Sequence, residues 1–165
     1  MSSAARILKE GVIGGLVACV SAIALFSLLD LARGESVFYT PAAMGSVLFY
    51  GLGSAGELTI WPGPVLAYNG VHLVGSIAVG LVAALLIFET ELHRSLWYLG
   101  FMALIAACAY SVAVFGVVGV EIAGLLDWGT VVAGTAVWAL SMTAYFWWVH
   151  PGLAGRIQHD LDSEI

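Results

Sequence analysis

The amino-acid sequence predicts an all-α integral membrane protein: a four-helix bundle with a short outer-surface helix in its first loop. Three observations carry this. Of 165 residues, 61% are hydrophobic and only 10% are charged, where a soluble domain has roughly 25% charged. Mean hydropathy is +1.01. The apolar residues also gather in four runs of about 20 residues or more, the length a helix needs to cross a hydrocarbon core of about 30 Å. These features exclude a soluble globular domain and a disordered chain. Five Lys and Arg against eleven Asp and Glu give a net charge of -6, which repels phosphate and excludes a nucleic-acid binder.

The first ten residues read as a cytoplasmic N-terminus, and the first span as about 11–31. Arg6 and Lys9 precede it, as in a signal peptide. Its apolar run is too long for an ordinary h-region, however, and Asp30-Leu31-Ala32-Arg33 is a poor small-residue cleavage site. We therefore read it as a retained span. The loop that follows, about 32–63, is long and not strongly polar. Within it Thr40 followed by Pro41 reads as a helix start, with Thr as N-cap and Pro at the first helical position. The helix it opens, about 41–51, is too short to span and reads as an outer-surface helix lying on the bilayer or tucked between spans. Gly51, Gly53 and Gly56 break it, and Trp61-Pro62-Gly63-Pro64 leads into the second span.

The remaining spans read as about 64–88, 95–118 and 128–149, followed by an acidic tail over 151–165. Their loops are short, so these three should be antiparallel neighbours. Backbone polar groups in lipid must pair within their own segment, which selects helices. The alternating pattern of a membrane β-barrel is absent. Arg6, Lys9, Arg94 and Arg156 fall on one side of such a bundle and Arg33 alone on the other. That bias places both termini in the cytoplasm of a multi-pass inner-membrane protein. Trp97, Tyr98, Tyr145, Trp147 and Trp148 fall at the inner interface, and Trp61 and Trp128 at the outer one.

Helices in lipid meet through small residues spaced four apart, because lipid supplies no hydrophobic drive. Gly11 and Gly15, Ser76 and Gly80, Ala103 and Ala107, and Gly134 mark such seams on the four spans. Ordinary bundle packing accounts for them better than a dedicated oligomer motif does.

Polar residues at membrane depth are the candidate functional groups. Asn69, His72 and Ser76 share one helical face, with Tyr68 one turn before His72. His72 is the deepest histidine; His93, His150 and His159 fall at or beyond the inner end, so a bis-His haem within one chain is not expected. Its plainer role is a neutral side chain hydrogen-bonded to a neighbouring helix. If any residue binds a cofactor, it is His72. Asp30, His72 and Glu121 form the alternative cation set, at a spacing that matches no metal signature. Asp30 and Asp127 are more simply interface residues, with Arg33 a local partner for Asp30. Cys19 and Cys108 fall inside spans and should be reduced and packed. No nucleophile and base pair, no phosphate-cradling loop and no interrupted mid-span helix is visible, so no catalytic residue and no cofactor is predicted.

The stretch from Asp30-Leu31-Ala32-Arg33-Gly34 to Phe38-Tyr39-Thr40-Pro41-Ala42-Ala43-Met44-Gly45-Ser46 resembles a pattern in small uncharacterised four-helix bacterial inner-membrane proteins. In those, an acidic residue ends span one and an aromatic-Thr-Pro opens a short helix. The match covers roughly the first third of the chain. It implies a bacterial inner membrane and no particular reaction.

The expectation is a non-catalytic accessory or structural subunit of a larger inner-membrane complex, respiratory or photosynthetic. Its partners would be lipid and other integral membrane subunits, or a second copy of itself. The competing readings are a small ion- or metal-binding transporter using Asp30, His72 and Glu121, and a haem- or quinone-binding redox subunit using His72.

Overall fold

The computed structural model describes residues 2–52, 58–92 and 128–152. All regular structure among them is helical: α1 (Ser3–Ala32), α2 (Tyr39–Tyr50), α3 (Pro62–Leu92) and α4 (Trp128–Val149). Three of these, α1, α3 and α4, are long and apolar enough to cross a membrane. The expected span at 95–118 lies outside the described residues, as do Ala103, Ala107, Cys108, Glu121, Asp127 and most of the tail.

Helix α1 begins well before the apolar run. Ser2 caps it by accepting from Ala5 N at 3.4 Å, and Arg6 and Glu10 pair one turn apart at 2.9 Å. Hydropathy marks where lipid can sit, whereas helix continues as long as caps and polar pairs support it. The far end closes on a Schellman motif. Glu35 N donates to Asp30 O at 2.9 Å and Gly34 N to Leu31 O at 3.0 Å, with Gly34 at φ 78, a conformation glycine adopts without Cβ strain.

Helix α2 starts two residues earlier than Thr40-Pro41 predicts. Phe38 is its N-cap, Thr40 lies inside its first turn, and Pro41 follows where a missing N–H is still harmless. Nor is it a surface helix. Residues 40–47 are buried, and only the end at Leu48, Phe49 and Tyr50 is exposed. The cause is Gly45, which lies so close to the Pro64 carbonyl that a Cβ could not be accommodated. Ala43, Met44 and Val47 then pack with Tyr68 and Val131 into one core cluster. Gly51, at φ 65, ends the helix.

The first helix is central: α1 packs against both α3 and α4, and α2 packs chiefly on α3. Small residues set these distances. A Cβ on Gly11 would meet Leu81 Cα at 2.6 Å, and one on Gly15 would meet Ile77 Cα at 2.6 Å; Gly80 abuts the Gly11 carbonyl. Gly14 faces Tyr145 and Phe146, and Gly134 faces the Phe26 ring. The predicted seam residues of the described helices thus all lie at helix contacts. These pairings make α1 antiparallel to α3 and to α4, so α3 and α4 run parallel to each other. A second core cluster fills the junction of the three: Ala18, Ala22, Phe26, Ala84, Trp138, Met142 and Phe146.

Candidate functional site

Three polar constellations occur among the described residues. The first joins the end of α1 to the start of α2. Asp30 is fully buried. Its Oδ2 accepts from Thr40 N at 2.9 Å and its Oδ1 from Thr40 Oγ1 at 2.6 Å. The first-turn N–H groups of a helix have no partner within the helix. Asp30 therefore acts as a remote cap for α2, with its negative charge at the positive end of the helix dipole. Arg33 turns towards α4 and its Nη2 donates to Thr130 Oγ1 at 2.6 Å. Tyr39 lies beside this group. Burial, then the Glu35 and Asp30 carboxylates, pushes its phenol above the ordinary range, while Arg33 pulls the other way.

The second constellation is the α3 face. Ser76 is buried and accepts from Trp138 Nε1 of α4 at 2.9 Å. Cys19 of α1 is buried and carries a free thiol. One turn towards the start of α3, the His72 ring lies nearly parallel to the buried Tyr68 ring, with centroids 5.8 Å apart and planes inclined by 7°. His72 Nε2 and Asn69 Oδ1 are buried with no hydrogen-bond partner among the described residues.

The third lies at the opposite end, and sequence reasoning missed it. Glu10 Oε1 pairs with Arg6 Nε at 2.9 Å, and Glu10 Oε2 lies 3.0 Å from His150 Nε2. Arg6 Nη2 lies 3.3 Å from His150 Nδ1. A guanidinium only donates and a carboxylate only accepts, so an imidazole between them suits both with Nδ1 as acceptor and Nε2 as donor. The nearly buried imidazole bridges α1 and the end of α4. Each of these residues carries an ordinary local explanation in sequence: a topogenic Arg, a solvated Glu, an interfacial His. Their pairing spans 140 residues or more and leaves no local signal.

Of the alternative cation set, Glu121 lies outside the described residues, and Asp30 and His72 are not brought together. Carried along the register of Gly11 with Leu81 and Gly15 with Ile77, Asp30 comes level with the start of α3, about 15 Å along the axis from His72 at 1.5 Å per residue. Both Asp30 oxygens already accept from Thr40. No group of three or more His, Cys, Asp or Glu among the described residues could hold a metal ion. What the arrangement does chemically is tie helices: Asp30 to α2, Arg33 and Glu10 to α4 and its end, Ser76 to Trp138. Comparison of the chain with protein-family models, with curated proteins and with solved structures finds no match.

Proposed function

We propose that this chain is a non-catalytic accessory or structural subunit of a larger inner-membrane complex, one of the respiratory or photosynthetic type. One observation carries the reading. Three side-chain contacts hold the long helices and their ends to each other, Ser76 with Trp138, Arg33 with Thr130 and Glu10 with His150. The outward surfaces are apolar: Val20 and Leu28 on α1, Leu66, Val74 and Val82 on α3, and Leu140 on α4 are all more than half exposed. Surfaces of that kind belong in lipid or against other membrane helices.

The full topology is part of the proposal: four spans, with both termini cytoplasmic in a bacterial inner membrane. The parallel course of α3 and α4 supports it, since two parallel helices consecutive in this arrangement need one further crossing between them. The excess of basic residues at one side gives the orientation. Trp128 and Trp147, near the two ends of the 22-residue α4, suit the two interfaces of a helix about 33 Å long.

The test is native purification through a C-terminal tag in a mild detergent, with mass spectrometry and an absorption spectrum of the same fraction. Stoichiometric recovery with other integral subunits is the expected result. Recovery alone, as a colourless homogeneous oligomer, would overturn the accessory-subunit reading. Reporter fusions at both termini test the topology separately.

A further inference from the structure

We propose that Asn69 and His72 together bind one neutral hydroxyl oxygen inside the helix bundle, supplied by a membrane-soluble hydroquinone or by water. The inference goes beyond the accessory-subunit reading and does not depend on it. It starts from two atoms. His72 Nε2 and Asn69 Oδ1 are both buried, and neither has a hydrogen-bond partner among the described residues. Buried polar atoms in native proteins are nearly always paired, so such an orphan calls for a specific cause. Two orphans three residues apart on one helix call for a shared one. Side chains at that spacing lie on the same face about 5–6 Å apart at Cβ, a gap that one oxygen can bridge.

The donor and acceptor arithmetic narrows the occupant. The amide oxygen of Asn69 only accepts, so the occupant must donate to it. With the His72 proton on Nε2, the ring donates, and the occupant must also accept. A hydroxyl does both at one atom. A bare carbonyl, as in an oxidised quinone, cannot donate to Asn69. A metal ion has no proton to give.

The imidazole is held in place for this role. Its ring lies nearly parallel to Tyr68, which is itself only 5% exposed. The next polar group along the face, Ser76 Oγ, already accepts from Trp138. Asn69 and His72 are thus the pair left over once the inter-helix ties on this face have been made.

The experiment uses the full chain in lipid nanodiscs with ¹⁵N-labelled histidine, His72 being assigned by loss of its signal in His72→Phe. Decylhydroquinone is the probe. A His72 Nε2–H resonance that exchanges magnetisation with water before any addition identifies water as the source. A resonance that moves on titration with decylhydroquinone identifies the hydroquinone, and Asn69→Leu should then weaken the titration about tenfold or more. A resonance that shows neither behaviour overturns the proposal, as does a shift that Asn69→Leu leaves unchanged while circular dichroism reports intact helix. The wild-type measurement stands if either variant fails to fold. Failure here leaves the co-purification test untouched, and the converse holds too.

Discussion

At one end of the molecule Asp30 accepts two hydrogen bonds from Thr40, ten residues further along the chain. At the other, Glu10 meets His150 across 140 residues. The first carboxylate is fully buried, and both its partners are first-turn groups of the helix it caps. The second is 15% exposed, beside an imidazole that is 3% exposed, and is shared with Arg6. The two ends solve different problems. The Asp30 end turns the chain sharply and fixes α2 in the core, so its carboxylate is part of a local fold. The Glu10 end closes the molecule by fastening the first helix to the end of the last, so its carboxylate is a long-range clasp. A buried local cap cannot be replaced by water, while a clasp near the rim can be in part.

The largest expected effect follows from that difference. Asp30→Ala leaves both the Thr40 N–H and the Thr40 hydroxyl buried without their acceptor. Hydrogen bonds to a charged group contribute about 1.5–3 kcal/mol each, so a loss of about 3 kcal/mol or more is expected. Asp30→Asn keeps one acceptor oxygen and should lose roughly half as much. Unfolding in mixed micelles, followed by circular dichroism, measures both. An Asp30→Ala protein as stable as the wild type would mean that α2 is held by packing alone.

Next in size is a substitution on the seam between the two ends. Gly15→Ala places a methyl carbon about 2.6 Å from Ile77 Cα, backbone against backbone, where nothing can rotate away. Overpacking of this kind costs about 1–3 kcal/mol. Gly70→Ala and Gly75→Ala are the controls, since a Cβ at either position meets nothing within 4 Å. These should be neutral or gain up to about 1 kcal/mol in helix propensity. Equal effects at Gly15 and Gly75 would show that the close approach of α1 and α3 does not hold the ends in register.

The clasp itself should be weaker than the cap. A double-mutant cycle on Glu10→Ala and His150→Ala is expected to give a coupling of about 1 kcal/mol. The same cycle on Asp30→Ala and Thr40→Ala should give more. A reversed order would put the closure of the bundle, rather than the turn into α2, first in importance.

How much of this was legible in sequence depends on the range of each interaction. The span at 128–149 coincides with α4, and those at 11–31 and 64–88 lie within α1 and α3, because a long apolar run is a local property. The seams at Gly11, Gly15, Gly80 and Gly134 were legible for the same reason: a small residue one turn from another can be read without knowing its partner. Thr40-Pro41 located α2 but not its cap, since the sequence offered Thr40 as the capping side chain while the fold supplies Asp30. The burial of α2 was hidden because it depends on contacts between distant residues, among them Gly45 against Pro64 and Met44 with Tyr68. His72 was singled out by depth alone; that its Nε2 is orphaned together with Asn69 Oδ1 depends on neighbours no spacing rule names. No spacing in the sequence pairs Arg6 and Glu10 with His150, and only the antiparallel packing of α1 on α4 brings them together.

The smallest effect is a titration that sharpens the account of the Asp30 end. Tyr39 stands in the first turn of α2, next to the capped Thr40. Burial, then Glu35 and Asp30, holds its phenol proton on beyond the usual pH, against the pull of Arg33. An unfolded chain releases that proton near the ordinary pKa of about 10. Below that pH both states keep the proton and the group does not alter stability. Above it the unfolded chain ionises first, so this group's contribution to stability falls as pH rises. The difference in absorbance at 295 nm between wild type and Tyr39→Phe, followed from neutral pH upwards, should therefore titrate above the ordinary phenol value. Asp30→Asn removes one of the two opposing carboxylates and should move the curve part of the way down, whereas Glu10→Gln, at the far end, should leave it in place. A Tyr39 curve at the ordinary value would put the phenol in water and detach the start of α2 from the carboxylate that caps it, leaving Asp30 as an interface residue like any other.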